Sequence, residues 1–245
     1  MIAVEKEAWG QALADFAPTI PRPRAIVAVS GHFEEPSPVR VTASQGPETI
    51  HDFSGFPKEL YKIRYDAPGD PELAARVKNL LGKSGIAAEL DSQRGLDHGV
   101  WVPLRFLFPE ADVPVVEVSQ ASRRTPQDAL KVGAALSPLR DDGVLLLGTG
   151  GIVHNLRLID FAEGPAADWA LAFDAWIAER LDAMDVASIA NYRHAAPNAG
   201  LAVPTPEHFD PIFVVLGSAV PGESVRTIHQ GFRYGTLSMR SFAIA

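Results

Sequence analysis

Ala25-Ile26-Val27-Ala28-Val29-Ser30-Gly31-His32 carries no formal charge before its closing histidine. An unbroken apolar run of this kind, entered through Pro21 and Pro23, reads as a β-strand covered on both faces, the pattern of a parallel sheet flanked by helices. A second run, Val144-Leu145-Leu146-Leu147, leaves through Gly148-Thr149-Gly150-Gly151 and reaches Ile152-Val153-His154-Asn155. In chains that alternate strands with helices, ligands bind in the crevice beyond the carboxyl ends of the strands. His32 and His154 both fall at such ends. His208, after Thr205-Pro206-Glu207, opens a helix-like segment with Thr205 as cap and Pro206 as first helical residue. Three imidazoles so placed could converge on one metal ion. The chain has no cysteine, so nitrogen and oxygen would have to hold it.

The rest of the chain alternates in the same way. The spacing predicts an amphipathic helix over Val4–Phe16, a helix from Pro71 to Lys83 before Gly85, a short helix over Val102–Phe108, and helices over Pro126–Leu139, Trp169–Leu181 and His208–Leu216. Strands are expected over Val39–Ala43, Ile86–Leu90, Val113–Val118, Gly143–Leu147 and Thr236–Ile244. Gln45 to Gly69 is rich in Gly, Pro and aromatics. It reads as a long ordered loop with one helical turn near Lys58–Ile63, and structureless loops of that length tend to be functional. The fold expectation is a single α/β domain over 1–245, its central sheet mostly parallel with helices on both faces.

The bulk properties narrow the function. At 245 residues the chain can bury one substantial core. Its formal net charge of −8 argues against a nucleic-acid or anionic membrane partner. No apolar stretch approaches the ~20 residues that span a bilayer. The early acidic charge of the N-terminus does not fit a secretory signal. A cytoplasmic protein acting on a small molecule is expected, and a homo-oligomer is compatible with it. The Gly-x-Ser-x-Gly elbow of serine hydrolases, the zincin His-Glu-x-x-His and the phosphate-binding glycine loops are all missing.

Each histidine also has a plainer reading. His32 could simply hydrogen-bond a neighbouring carbonyl at a strand end. His98, in Gly95-Leu96-Asp97-His98-Gly99, could be a turn residue, or Asp97 could orient its ring as carboxylates near metal sites do. His51, in Thr49-Ile50-His51-Asp52-Phe53, divides evenly between loop packing and pocket lining. His194 and His229 read as structural or exposed. Spacing alone leaves a histidine-rich metal site of undefined chemistry.

The motifs together are more specific. Ser30-Gly31-His32, Thr49-Ile50-His51-Asp52-Phe53-Ser54-Gly55-Phe56-Pro57, Tyr65-Asp66-Ala67-Pro68-Gly69, Gly95-Leu96-Asp97-His98-Gly99, Val153-His154-Asn155-Leu156 and Pro204-Thr205-Pro206-Glu207-His208 follow in order. In that order they resemble the class III extradiol ring-cleavage dioxygenases of the DOPA dioxygenase-like branch. The resemblance implies non-haem Fe(II), with Zn(II) in isolated protein, and the opening of a catechol ring by O2. It implies that His32 and His208 ligate the metal and that His154 is the acid/base at the iron, sometimes counted as a third ligand. His98 would contact substrate, and His51 and Asp52 belong to the substrate loop.

A catecholate taking two positions and O2 a third leaves room for only about three protein ligands, and a histidine titrating near neutrality would suit the proton transfers. Relatives begin with a strand ending in Gly-His-Gly-Ser-Pro that supplies a further ligand, followed directly by a methionine. With Met1 at that methionine's position, the strand and its histidine are expected to be missing, through a start codon set too far downstream. Ser30-Gly31-His32-Phe33 replaces the usual Ser-Ala-His-Trp, which would alter the pocket. A metal-binding relative with impaired catalysis, or a non-redox enzyme on the same scaffold, are the alternatives.

Overall fold

A computed structural model describes residues 8–162 and 164–245. At its centre the strand Ala25–Ser30 runs parallel to Val115–Glu117 on one side and Val144–Thr149 on the other. Ile26 pairs with Val115 and Leu145, and Ser30 pairs with Thr149, so Ala25–Ser30 and Val144–Thr149 end together while Val115–Glu117 stops opposite Ala28. Every residue of Ala25–Ser30 is buried. Its side chains alternate between two cores. Ala25, Val27 and Val29 face a cluster with the helices Pro71–Lys83, Pro126–Leu136, Asp168–Asp182 and Pro211–Gly217. Ile26 and Ala28 face a second cluster with the helices Ala8–Phe16 and His98–Leu107. The period-2 alternation of a strand thus buries both faces under helices, as the apolar run requires.

The expected mostly parallel sheet is present, but it is small. Further pairs form apart from it: Val39–Thr42 with Ala88–Asp91 and Glu34–Glu35 with Gln120–Ala121, both parallel. Val225–His229 pairs antiparallel with Ser241–Ile244, and Phe232–Arg233 with Leu237–Ser238. The expected single strand over Thr236–Ile244 is therefore broken in two. The helix expected from Val102 begins at His98, with Asp97 as its extended cap residue. The helix expected from His208 begins at Pro211, a residue whose missing N–H suits a first helical turn. The Thr205 hydroxyl is spent on the Glu207 carboxylate rather than on a cap. The Val4–Phe16 helix is seen from Ala8. Its first turn, and the expectation about the start at Met1, lie outside the described residues.

Among the described residues no helix is long and apolar enough to cross a membrane. The long loop is pinned rather than loose. Ile50 N–H donates to the Leu96 carbonyl, Leu96 N–H to Glu48, and the Trp101 indole N–H to Ile50. Leu104, wholly buried between the sheet and the Ala8–Phe16 helix, tests this packing. Leu104→Ala should lower unfolding free energy by ~2–5 kcal/mol in denaturant titrations. A loss below about 1 kcal/mol would contradict its placement in a close-packed core.

Candidate metal and substrate site

Because Ala25–Ser30 and Val144–Thr149 end level, their exits deliver His32 and His154 to one edge of the sheet, and the loop before Pro211 brings His208 to the same edge. His32 Nε2 and His208 Nε2 lie 3.3 Å apart. The His154 and His208 rings stack with centroids 3.8 Å apart and planes within 5°. His98 joins from the start of its helix, 4.1 Å from His32 between ring centroids.

Glycines make the approach possible. A Cβ on Gly150 would lie 2.0 Å from the His208 carbonyl oxygen, and one on Gly31 would lie 3.0 Å from the His208 ring. The glycine turn after Val144–Thr149 therefore admits the His208 backbone, not a phosphate.

Two carboxylates orient the rings. Asp52 reaches His32 Nδ1 through Oδ2 at 3.1 Å and His98 Nδ1 through Oδ1 at 2.7 Å, and it also accepts the His98 backbone N–H. Burial alone would raise the Asp52 carboxyl, but these hydrogen bonds hold it far below the usual carboxylate range. Asp52, not Asp97, is therefore the partner of the His98 ring. Glu207 Oε1 lies 3.3 Å from His208 Nδ1. That contact, partly offset by burial and assisted by Thr205, lowers Glu207 to about 2. A neutral ring that turns its Nδ1–H to its carboxylate leaves the Nε2 lone pair for the gap between the two rings.

The spacing of the two nitrogens fits a cation in that gap. Two imidazole nitrogens bound at ~2.0–2.1 Å, at tetrahedral or right angles, stand about 2.8–3.4 Å apart. A hydrogen-bonded carboxylate behind each ligand is the usual support for a metal-bound imidazole. A second donor set lies on the other edge of the same ring: His32, Asp52 and His98 offer ligand atoms all within 4.8 Å of one another.

His51 takes a different place. Its Nε2 donates to the Ile63 carbonyl at 2.9 Å, and its ring packs edge-on to Phe53 and Trp101, which favours the loop-packing role. Beneath the site, Ser30 Oγ donates to Asp97 Oδ1 and accepts the His32 N–H, while Arg94 Nη2 reaches both the His32 carbonyl and Asp97 Oδ2. Glu117, wholly buried, accepts the Asp97 N–H. Burial and the neighbouring Asp97 push the Glu117 carboxyl well above its usual range. Sequence reasoning passed over Arg94, Glu117 and Gln120. The available signal was a carboxylate, Glu117, inside a strand expected to be buried on both faces.

Residues 6–243 match the family described as the catalytic LigB subunit of aromatic ring-opening dioxygenase. The chain belongs to that family. It is therefore an enzyme of the extradiol ring-cleavage dioxygenases, the class its motifs resemble. A 4,5-DOPA dioxygenase extradiol of Beta vulgaris is 40% identical over 222 residues, covering 90% of this chain and 82% of the relative. The protein of the same name from Escherichia coli K12 is 38% identical over 231 residues, covering 92% and 84%. A crystal structure of an uncharacterized Escherichia coli K12 protein superposes with a TM-score of 0.82 at 32% identity, covering 98% of this LigB-family chain and 93% of that one.

Gly150→Ala should displace the His208 backbone in a crystal structure and lower the melting temperature; an unmoved His208 would contradict the contact. The pH dependence has a definite sign. Burial, and then the nearby His208 and His32, hold His154 at about 3 against 6.5 for a free imidazole, so the folded ring stays neutral where the unfolded one takes up a proton. The unfolded state binds the extra proton between those values, so this contribution is intact above about 6.5 and stability falls as pH drops toward 3. In urea titrations His154→Gln should flatten that decline; an unchanged slope would contradict the assignment.

Proposed function

We propose that the chain is a metal-dependent extradiol dioxygenase that opens a catechol ring with O2, holding the metal through His32 Nε2 and His208 Nε2. The observation that carries the reading is the 3.3 Å gap between two imidazole nitrogens whose outer nitrogens are each directed at a carboxylate. When bound there, Fe(II) would supply the redox chemistry that couples a catecholate to O2, and Zn(II) would occupy the same donors without that chemistry.

The chain's own residues prepare the substrate. His154 is neutral, and its parallel stacking on His208 keeps its in-plane nitrogen from aiming at the same point as His208 Nε2. That geometry favours the proton-transfer role over a third ligand. Burial and the neighbouring imidazoles keep the ring neutral, the form that can take up a substrate proton. His98, its Nδ1 fixed by Asp52, leaves its other nitrogen for a substrate oxygen. Asp52 acts here through the two rings, since both of its oxygens are engaged. Relatives named for 4,5-DOPA make that catechol the first to try. The formal net charge of −8 disfavours a polyanionic partner and fits a small-molecule substrate.

The test is anaerobic loading with Fe(II), followed by O2 uptake on adding catechols. Stoichiometric uptake with the yellow colour of a ring-opened semialdehyde is expected. Metal binding without uptake for any catechol would contradict the reading and leave an impaired or non-redox member of the family. His154→Ala should lower turnover by ~10²–10⁴-fold while metal content holds. A parallel loss of metal would make His154 a ligand.

A further inference from the structure

Gln120 lies outside every motif that marks the site, yet its side chain joins the two segments that carry the proposed ligands. It begins the short strand Gln120–Ala121, is 4% exposed, and its backbone N–H donates to the Phe33 carbonyl. Its Nε2 donates to the Ser30 carbonyl at 2.8 Å and to the Glu207 carbonyl at 2.8 Å. Those carbonyls stand two residues before His32 and one before His208. Both partners are acceptors only, so the amide orientation is fixed: a reversed amide would set its oxygen against two carbonyl oxygens. Gln120 Oε1 meets no donor. A buried acceptor left unpaired is disfavoured and calls for a compensating role of the group that carries it.

We propose that Gln120 is a positioning residue whose side-chain amide straps the His32 exit to the His208 loop and sets the separation of their Nε2 atoms. The inference rests on the reading that these two histidines hold the metal. The physical reason is direct. Ser30 ends the central strand, whereas Glu207 lies on a loop that precedes its helix, and the next carbonyl of that loop, of His208, accepts the Gly151 N–H. One carboxamide with both protons committed holds the strand end and the loop at a fixed distance. A ligand pair needs that constraint to within a few tenths of an ångström.

The decisive variant is Gln120→Met, which keeps length and burial and removes both donors. Tyr65→Phe is the control: it loses one buried bond, from the Tyr65 hydroxyl to the Phe108 carbonyl at 2.9 Å, in the other core. Both variants are expected to melt slightly below the parent. Competition titration with zinc and a chromophoric chelator should show affinity lowered ~10–100-fold for Gln120→Met and unchanged for Tyr65→Phe, as is usual when a support behind a metal ligand is removed. Affinity within about twofold of the parent, or an equal loss in Tyr65→Phe, overturns the proposal. A metal-free crystal structure of Gln120→Met reads the strap with no ion involved. The Nε2 separation should open beyond 3.3 Å, and an unchanged separation overturns the proposal whatever zinc does. If the parent and His208→Ala bind zinc equally, the metal reading fails instead, and the separation alone decides the strap.

Discussion

His32 Nε2 and His208 Nε2 face each other across 3.3 Å, and the structure commits much of its buried polar chemistry to keeping the two rings in that arrangement. Asp52 and Glu207 take the outer nitrogens. Ser30 Oγ accepts the His32 N–H, Arg94 donates to the His32 carbonyl, and Asp97 accepts from both Ser30 and Arg94. Arg124 and Asp210, both almost wholly buried and 2.8 Å apart, pin the chain just after His208. Burial pushes the Asp210 carboxyl up to about 6 in spite of that guanidinium. Burying charged groups without repaying their lost hydration is costly, and ion pairs like these more often specify geometry than add stability. Here the geometry they specify is that of one gap.

The sheet supplies the other half of the constraint. Parallel strands in level register end on one side, so side chains far apart in sequence share an edge without any local signal between them. The glycines at 31 and 150 then let a loop backbone lie against that edge, where a Cβ on Gly150 would collide with the His208 carbonyl and one on Gly31 would crowd its ring. This is why the turn after Val144–Thr149 is rich in glycine although it binds no phosphate motif.

That division also explains what is legible in the chain. The strand Ala25–Ser30 and the helix Pro71–Lys83 are plain from local pattern, the latter because Asp70 accepts the Leu73 N–H and Pro71 takes the first turn. His32, His154 and His208 are legible as a group because strand ends and motif order mark them. The start of the helix after His208 is misplaced by sequence, since Thr205-Pro206-Glu207 copies a capping pattern while its hydroxyl bonds the Glu207 side chain instead. The Asp52–His98 pair spans 46 residues, and Gln120 reaches 90 residues back and 87 forward. Such contacts depend on tertiary packing and have no spacing to read. Glu117 is the intermediate case: its charge in a covered strand is visible, but its partner Asp97 is not.

One measurement tests the centre of this account: anomalous scattering at the zinc edge from crystals of the chain grown with zinc. Two donor sets share His32, one on each edge of its ring, and an ion can choose only one. The account expects a peak in the gap, at the ~2.0–2.1 Å typical of zinc–imidazole bonds from His32 Nε2 and His208 Nε2. A peak instead among His32 Nδ1, Asp52 and His98 would contradict it, because Asp52 would then be a ligand and His208 a bystander.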